Sequence, residues 1–565
     1  MKSSFKWQVQ RTNAEYVDYI SREASVTPAL AQVLINRGLK TPEDIAVFLG
    51  QSVENMSDPF SLSGVSRAVE VLSEARASGK RIMVHGDYDA DGVTATSIMV
   101  DALRRLGLDV AYFIPSRFVH GYGFNPPAVA HAREVGAGLI LTVDCGVSAF
   151  EATSEARASG IDVIITDHHE PLVDEGGKFL LPDALAVINP KLCSPSISML
   201  AGAGVAFKLI HALAIKFPGA FDPLEYLDLA ALGTLADSVP LTGENRTIVK
   251  EGMVLLNSGQ RPGISALRDV AGLGGKELKA MRVLFTIVPR INAAGRVDDA
   301  SGVVELMLAR DPEVAARVAE DLNRMNAERQ KIEEGVFQEA FAQADEKRGR
   351  SAIVLSGEGW HEGVLGIVAS RIVERFGRPT FVLTETEGEA RGSARSIPQF
   401  DIYNGLMRCS DCLVSFGGHR QAAGLSLEAG RLSEFDERIC AAVDESVEDY
   451  TPVLNLDATI PLRDVSFKLV EEIGMLEPFG YGNPEPLFGC RELEVVSPRI
   501  VGRNHLKMTL RSRNCSVDSI GFGMGQRMEE IQDTFAVDAA FVATINEWGD
   551  RRTLQLNLKA FRPST

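Results

Sequence analysis

Arg81-Ile82-Met83-Val84-His85-Gly86-Asp87-Tyr88-Asp89-Ala90-Asp91-Gly92 is the stretch around which the chain is organised. Its short apolar run predicts a buried strand, and a helical pattern begins at Val93. Alternate residues of an extended segment face the same way, so Asp87, Asp89 and Asp91 are expected to share one face. Three unpaired carboxylates would repel one another there, and such a cluster usually indicates a divalent cation with oxygen ligands. A solvated turn that caps the next helix is the alternative.

Two later stretches repeat this arrangement of an apolar run followed by Asp or His. Residues 139–143 lead into Asp144-Cys145-Gly146, and residues 163–166 lead into Asp167-His168-His169. In open parallel α/β sheets, sites form outside the carboxyl ends of the strands. Three matching strand ends therefore favour a dinuclear metal site over isolated helix caps and a satisfied core histidine.

Composition limits the class of protein. A chain of 565 residues is too long for one hydrophobic core, so several domains are expected. No apolar run approaches the length of a membrane helix, and the N-terminus lacks the apolar region of a signal peptide, so we expect a cytoplasmic protein without a membrane partner. The net charge of −18 argues against broad binding to nucleic acid, but a cleft needs only local positive charge, and metal ions offset an acidic centre.

The pattern along the chain predicts five parts. Residues 1–50 form a small helical segment on the domain that follows. Residues 51–310 alternate strand and helix, with strands at 81–85, 109–114, 138–143, 162–166 and 184–188, which predicts a parallel sheet covered by helices. Residues 311–349 read as one long charged connecting helix, residues 350–446 as a second α/β domain, and residues 447–565 as a strand-rich barrel.

Asp237 follows an apolar helical run, residues 224–236, that we expect to be buried. A carboxylate at the end of a buried helix needs a partner, which is either the helix end that it caps or a metal ion. Gly202-Ala203-Gly204 opens another predicted helix, and its small residues permit close approach of the backbone.

The four acidic motifs resemble those of the DHH phosphoesterase superfamily: residues 85–92, 144–146, 167–169 and 232–241. Later stretches narrow the resemblance to the RecJ family, bacterial exonucleases that digest single-stranded DNA from its 5′ end, and it extends over nearly the whole chain. The resemblance implies a parallel-sheet DHH catalytic domain, a long connecting helix, a DHHA1-type domain and a C-terminal OB-fold barrel.

The resemblance also implies catalysis by two Mn²⁺ or Mg²⁺ ions that share a bridging carboxylate. The implied metal ligands are Asp87, Asp89, Asp91, Asp144, His168 and Asp237, with Asp144 as the bridge and Asp89 and Asp91 the surest of the first three. His169 is expected to face the phosphate, and it joins Asp89, Asp91, Asp144, His168 and Asp237 in the catalytic set. His85 stands where pyrophosphatase relatives have a metal-binding histidine, and because RecJ proteins vary there its role stays open.

Substrate binding is predicted for five residues in loops and at a strand end. Arg117 and Arg296 belong to stretches rich in small residues that we expect to be loops, and Arg can pair bidentately with phosphate. Ser393 and Arg395 stand where RecJ relatives grip the 5′ phosphate, and His419 belongs to a Gly-Gly-His stretch that we expect to be a loop. A surface salt bridge is the alternative role for Arg117, and structural turns are the alternative for the glycines.

The predicted function is hydrolysis of single-stranded DNA from the 5′ end to mononucleotides, in DNA repair and recombination. The family implies a single-stranded-DNA-binding protein and a RecQ-type helicase as partners. A DHH phosphoesterase of small substrates (oligoribonucleotides, cyclic dinucleotides or pyrophosphate) is one alternative, but it would have no need of the barrel. A non-catalytic DNA-binding scaffold is the other, but it would have no need of a complete ligand set.

Overall fold

The structure is a computed structural model that describes residues 5–116, 119–121, 123–193, 199–297, 299–532, 534, 536–548 and 551–564. Arg117, one of the predicted substrate-binding residues, lies outside the described residues. Among the described helices, none has the length and apolar character that crossing a membrane would require.

The first α/β domain is built on a parallel sheet whose strand order is β3-β2-β4-β5-β8. This confirms the predicted parallel sheet. The N-terminal segment that precedes the domain contains β1 (Lys6–Val9), α1 (Ala14–Glu23), α2 (Pro28–Asn36) and α3 (Pro42–Leu49). The strands of the domain are β2 (Ile82–His85), β3 (Val110–Phe113), β4 (Leu139–Thr142), β5 (Asp162–Thr166), β6 (Leu172–Val173), β7 (Phe179–Leu180) and β8 (Ala186–Ile188). Its helices are α4 (Val65–Ser78), α5 (Ala90–Arg105), α6 (Pro126–Glu134), α7 (Phe150–Ala158), α8 (Gly202–Lys216), α9 (Leu227–Ala236), α10 (Gly243–Ser258), α11 (Pro262–Val270), α12 (Ala280–Arg282), α13 (Val288–Val297) and α14 (Ser301–Leu308).

The order of these strands decides where a site can form. Strands β2 and β4 are neighbours, but the chain leaves β2 toward β3 on one side and returns to β4 on the other. A crevice opens at such a switch point, outside the carboxyl ends of the strands. Both strands are fully buried, since helices cover the two faces of the sheet.

Helix α5 begins at Ala90, three residues before the predicted start at Val93. Asp89 is its N-cap, and its carboxylate accepts hydrogen bonds from the backbone N–H groups of Asp91 and Gly92. The expectation that Asp87, Asp89 and Asp91 alternate along an extended segment is therefore wrong, because the cap satisfies amides that a helix start leaves unpaired.

The stretch from residue 289 to residue 296, predicted to be a loop, is helical. Helix α12, a π-helical turn (Val283–Ile287) and helix α13 follow one another without interruption. Pro289 cannot donate an amide hydrogen bond, and the turn directly before it is the π-helical one. Small residues here serve close helix packing rather than a loop, as the buried Ala293 and Ala294 show.

Helix α15 (Pro312–Glu346) confirms the predicted long connection. Ala315, Ala319 and Leu322 in its first half belong to the core of the first domain. Val336, Ala340 and Ala344 in its second half belong to a core of the second domain. Since one helix is built into both cores, it fixes the two α/β domains relative to each other.

The second α/β domain has a mixed sheet in the order β12-β13-β11-β10-β9. Its elements are β9 (Ile353–Glu358), α16 (Glu362–Phe376), β10 (Thr380–Thr386), β11 (Glu389–Arg395), α17 (Ile402–Arg408), β12 (Ser415–His419), β13 (Ala422–Glu428) and α18 (Leu432–Ser446). The predicted Gly-rich loop at 416–424 is instead a hairpin of β12 and β13. Its glycines lie in paired strands, and Gly418 adopts a φ of 142° that a side chain would strain.

The C-terminal part confirms the predicted barrel. Strands β16 (Phe488–Val501), β17 (His505–Ser512), β18 (Cys515–Gly521), β20 (Arg551–Pro563) and β19 (Ala536–Trp548) pair in that order, and β19 pairs with β16 to close the ring. The remaining elements of this part are β14 (Val453–Leu456), β15 (Ala458–Thr459), α19 (Phe467–Gly474) and α20 (Glu529–Gln532).

The N-terminal segment packs against this barrel. Ile20, Leu30 and Leu34 share one hydrophobic core with Phe488 and Phe541 of the barrel. Strand β1 pairs in parallel with β14. The expectation that the segment lies on the first α/β domain is wrong in this respect, because its apolar helix faces are buried against residues that follow more than 400 positions later.

Candidate active site

The six predicted metal ligands meet at the carboxyl edge of the first sheet. Strand ends supply Asp87, Asp144 and His168, while α5 and α9 supply the others. They form two triads, Asp91 with His168 and Asp237, and Asp87 with Asp89 and Asp144. Within each triad the candidate ligand atoms all lie within 4.8 Å of one another.

Asp144 lies between the two triads. Its Oδ1 atom is 3.0 Å from Nε2 of His168 in the other triad. A carboxylate oxygen of Asp144 and one ring nitrogen each of His168 and His169 also lie within 4.8 Å of one another. Its φ of 60° is left-handed, which is strained for a residue with a side chain and common where geometry serves a site. This is the position that a bridging carboxylate needs.

Asp91 is oriented by the start of helix α8. Its carboxylate accepts hydrogen bonds from the N–H groups of Gly202, at 2.7 Å, and Ala203, at 2.8 Å. The positive end of the helix dipole favours the negative charge. A Cβ atom at Gly233 would lie only 2.4 Å from Oδ1 of Asp91, so glycine is needed there for this close approach.

Asp167 orients His169, and sequence reasoning did not single it out. Its carboxylate accepts hydrogen bonds from the N–H groups of Val147, His168 and His169. Its Oδ1 atom also lies 2.7 Å from Nδ1 of His169. Burial by itself would lower the pKa of His169, but the hydrogen bond and charge of Asp167 raise it to about 9. The available signal was its place as the first residue of the Asp-His-His motif.

The acids of the cluster repel one another in the absence of a cation. Burial, followed by the charge of Asp89, raises the pKa of Asp91 to about 7 and that of Asp87 to about 8. Burial and then the charge of Asp91 raise the pKa of Asp237 to about 8, and the same two causes raise that of Asp144. Among the described residues, none of the ion pairs formed by Lys or Arg reaches these acids.

The donor set fits divalent cations. Oδ1 of Asp144, Nε2 of His168 and Oδ2 of Asp237 are buried. None of them makes a hydrogen bond with a described residue, although the first two atoms lie 3.0 Å apart. Burial lowers the pKa of His168 to about 3, so its imidazole is neutral, which is the form that binds metal. Carboxylate oxygens with one or two imidazoles suit Mn²⁺ and Mg²⁺.

His85 lies apart from both triads. Its ring packs between Phe113 and Phe124, with ring centroids 5.7 Å and 5.4 Å away. Nε2 is 3.3 Å from the carbonyl oxygen of Gly123. Burial lowers the pKa of His85 to about 4. The groups of potential metal ligands among the described residues do not include it.

Three of the predicted substrate-binding residues meet at one end of the second sheet. Strand β13 lies between β11 and β12. Its residue Ala422 is paired with Arg395 of β11 and with His419 of β12, and its Gly424 is paired with Ser393 of β11. A Cβ atom at Gly366, in the first half of α16, would lie 2.8 Å from Nη2 of Arg395 and 3.5 Å from Oγ of Ser393. The pair therefore lies beside the second turn of α16.

Arg395 keeps its charge available for a ligand. Its Nη1 donates to the carbonyl oxygen of Ala394, at 2.9 Å. Burial lowers the pKa of this guanidinium. Among the described acids, none forms an ion pair with it, and a partly buried cation of this kind matches a phosphate group.

Helix α13 joins the metal centre to the second domain. Asn292 accepts a hydrogen bond from the N–H group of Ala90, at 2.8 Å, in the turn that carries the acids. Arg296, predicted to bind substrate, donates from Nη1 to the carbonyl oxygen of Gly363 in α16, at 2.8 Å. Sequence reasoning missed Asn292, whose one signal was its place in the same stretch as Arg296.

Three family models match the chain. They are described as the DHH family, N-terminal domain, at residues 81–234, the DHHA1 domain at residues 349–445, and the RecJ OB domain at residues 456–560.

Similar proteins span nearly the whole chain. The single-stranded-DNA-specific exonuclease RecJ of Bacillus subtilis is 38% identical over 99% of this chain and 71% of its own length. RecJ of Escherichia coli is 37% identical over 98% of both chains. The crystal structure of RecJ in complex with Mn²⁺ from Thermus thermophilus superposes with a TM-score of 0.86 at 33% identity, covering 100% of this chain and 80% of that one.

Proposed function

The chain belongs to the RecJ family of single-stranded-DNA-specific exonucleases, and on that premise we propose how its residues perform the reaction. It is a metal-dependent exonuclease of single-stranded DNA. It hydrolyses phosphodiester bonds from the 5′ end and releases mononucleotides. The observation that carries the proposal is the pair of triads at the switch point of the first sheet, with Asp144 between them.

The metal centre uses the six residues of the two triads. Two Mn²⁺ or Mg²⁺ ions held there would lower the pKa of a bound water and supply positive charge at the scissile phosphate. Asp144 would be the ligand shared by the two ions, and the backbone N–H groups at the start of α8 hold the carboxylate of Asp91 in the orientation in which it would bind a metal ion. Because these donors are backbone groups of a helix start, they already hold the carboxylate in place before the substrate binds.

His169 acts on the phosphate. Asp167 holds its Nδ1 atom and thereby sets the ring orientation beside Asp144. An imidazole in this place donates a hydrogen bond to a non-bridging or leaving oxygen of the scissile group. Charge that develops on that oxygen makes this bond stronger in the transition state than in the ground state.

The second domain recognises the 5′ end. Arg395 and Ser393 bind the terminal phosphate beside the second turn of α16, and His419 lies at the same end of the sheet. The bond from Arg296 to Gly363 ties this helix to α13, which in turn contacts the turn at Ala90. A terminal phosphate held on one domain presents the first phosphodiester to the metal centre on the other, so each cut removes one nucleotide. Arg117 stays a prediction for the same role.

The family also suggests the cellular setting. We propose a single-stranded-DNA-binding protein and a RecQ-type helicase as partners, a role in DNA repair and recombination, and a cytoplasmic location. Membership of the RecJ family supports these proposals.

Digestion of end-labelled DNA with Mn²⁺ tests the activity. A 5′ label should be lost first as a mononucleotide, from single strands and not from blunt duplexes, while a 3′ label persists. Asp144→Ala should abolish cutting while its melting temperature without metal stays close to that of the parent protein. Early loss of the 3′ label, or equal digestion of the duplex, would contradict the proposal.

A further inference from the structure

The helical run from residue 280 to residue 297 has one side that is not buried in the domain core. Phe285, Pro289, Asn292 and Arg296 follow one another at intervals of four, three and four residues, which places them on the same side of a helix. Phe285 is 71% exposed, and the other three are partly exposed. Their neighbours on the opposite side are buried in the domain core: Val283, Ile287, Val288, Ile291 and Ala294.

This face runs past the active site. Arg296 contacts α16, the helix beside Ser393 and Arg395, and Asn292 contacts the turn that carries the acids at Ala90. Phe285 stands seven residues before Asn292, so it lies about 10 Å farther along the helix axis. The order along the face is therefore the 5′-phosphate site, the metal centre and then Phe285.

The order matches the path of a DNA strand. A strand held by its 5′ phosphate and cut at the metal centre continues in its 3′ direction toward Phe285. About 10 Å corresponds to roughly three steps of stacked bases at 3.4 Å each. Single exposed apolar side chains are common on protein surfaces, but Phe285 lies on a helical run whose face is continuous with the site.

We propose that Phe285 is a platform on which a base of the strand stacks, on the 3′ side of the scissile phosphate. Stacking on an aromatic side chain accepts every kind of base, which suits an enzyme that must pass along any sequence. It also needs a base with a free face, and bases inside a duplex are covered on both sides. Phe285 is therefore a determinant of single-strand specificity. This inference rests on the proposed function.

Steady-state kinetics of the first cut on a 5′-phosphorylated oligonucleotide test the proposal. Phe285→Ala should raise KM about ten-fold, within the range measured for loss of one base–aromatic stack, with little change in kcat. Phe285→Trp should keep KM near that of the parent protein. Phe179→Ala is the matched control, because Phe179 is also an exposed phenylalanine of the same domain, at 41% exposure, and lies on the β6–β7 hairpin.

Abasic substrates separate stacking from a general structural effect. One base at a time is removed from positions one to six of the oligonucleotide. In the parent protein, one position, near the third or fourth nucleotide, should raise KM by the same factor as Phe285→Ala. In Phe285→Ala that abasic site should have no further effect, since the stack is already lost.

The outcomes distinguish this inference from the proposed function. If the parent protein cuts single strands and Phe285→Ala has an unchanged KM, or if parent and variant give the same abasic profile, the inference is overturned and the proposed function stands. If the parent protein does not cut single-stranded DNA, both are overturned.

Discussion

Gly202→Ala should impair the metal centre much more than it lowers the stability of the fold. Gly202 is the first residue of helix α8, and it lies directly against the carboxylate of Asp144, the proposed bridging ligand. An added Cβ atom would be 2.4 Å from Oδ1 and 2.6 Å from Cβ and Cγ of Asp144. Optimal contacts between such atoms are about 3.5 to 4.0 Å, so Asp144 or the helix start must move by about 1 Å.

A shift of this size is large for a metal ligand. Ligand distances in protein metal sites vary by only about 0.2 Å, and a misplacement of about 1 Å in a catalytic site can lower the rate about 100-fold. Asp144 has little room to turn away, since its side chain is buried. The expected result is a loss of at least about 100-fold in exonuclease activity and weaker Mn²⁺ binding, with an overpacking cost of about 1–3 kcal/mol in stability.

Gly204→Ala is the control in the same helix. Its Cβ atom would meet Leu200 at 3.4 Å and Ile248 at 3.6 Å, which are ordinary contacts. Alanine in place of glycine inside a helix is favoured by about 0.8–1.0 kcal/mol, so this variant should keep full activity and melt slightly higher. Titration calorimetry with Mn²⁺, thermal unfolding and the end-label assay measure the three quantities. Parent-like Mn²⁺ affinity and activity in Gly202→Ala would refute the placement of Asp144 as a bridging ligand.

Three further predictions concern the charge of the metal centre, the contact between domains and the recognition of the 5′ end. In the metal-free protein, burial and mutual repulsion give three carboxylates of the triads pKa values of about 7 to about 8, above their ordinary value of 3.8. The folded state then binds more protons than the unfolded state, so the melting temperature in EDTA should fall as the pH rises from about 5 to about 8. Bound Mn²⁺ should abolish this fall in melting temperature. A melting temperature in EDTA that does not change with pH would contradict the prediction. Arg246→Met should lower the free energy of unfolding, measured by urea titration, by about 3 kcal/mol, because the fully buried guanidinium donates to the carbonyl oxygens of residues 48, 475 and 476. Arg463→Met is the control, because that side chain is 73% exposed and its replacement should change the free energy of unfolding little. Arg395→Ala should lower the preference for a 5′ phosphate over a 5′ hydroxyl by about 10- to 100-fold and Ser393→Ala by less, as measured by the ratio of kcat/KM on the two substrates; an unchanged ratio in Arg395→Ala would exclude it from phosphate binding.

The strand ends of the first sheet could be predicted because their signal is local. A strand that is buried on both faces reads as an unbroken apolar run, and β2, β4 and β5 all have this form. The rule that parallel strands end at one edge then gathers Asp87, Asp144 and His168 without further knowledge of the fold.

The errors arose where a short pattern has two outcomes. Asp89 caps helix α5 and also belongs to a triad of potential metal ligands, so the two roles that the sequence offered as alternatives are compatible. Glycines and small residues at 289–296 and 416–424 were predicted to form loops, but they allow close packing within a helix and a hairpin. Periodicity does not distinguish small residues that bend the chain from small residues that let it pack.

Residues that are close together along the chain carry the order of the domains and the chemistry of the site, so both can be inferred from the sequence. Folding is needed to bring Gly202 to Asp91, Asn292 to Ala90 and the N-terminal helices to the barrel core. These contacts join residues separated by 111, by 202 and by more than 400 positions. Their energy comes from hydrogen bonds and apolar burial between surfaces that meet only after folding, so no local pattern records them.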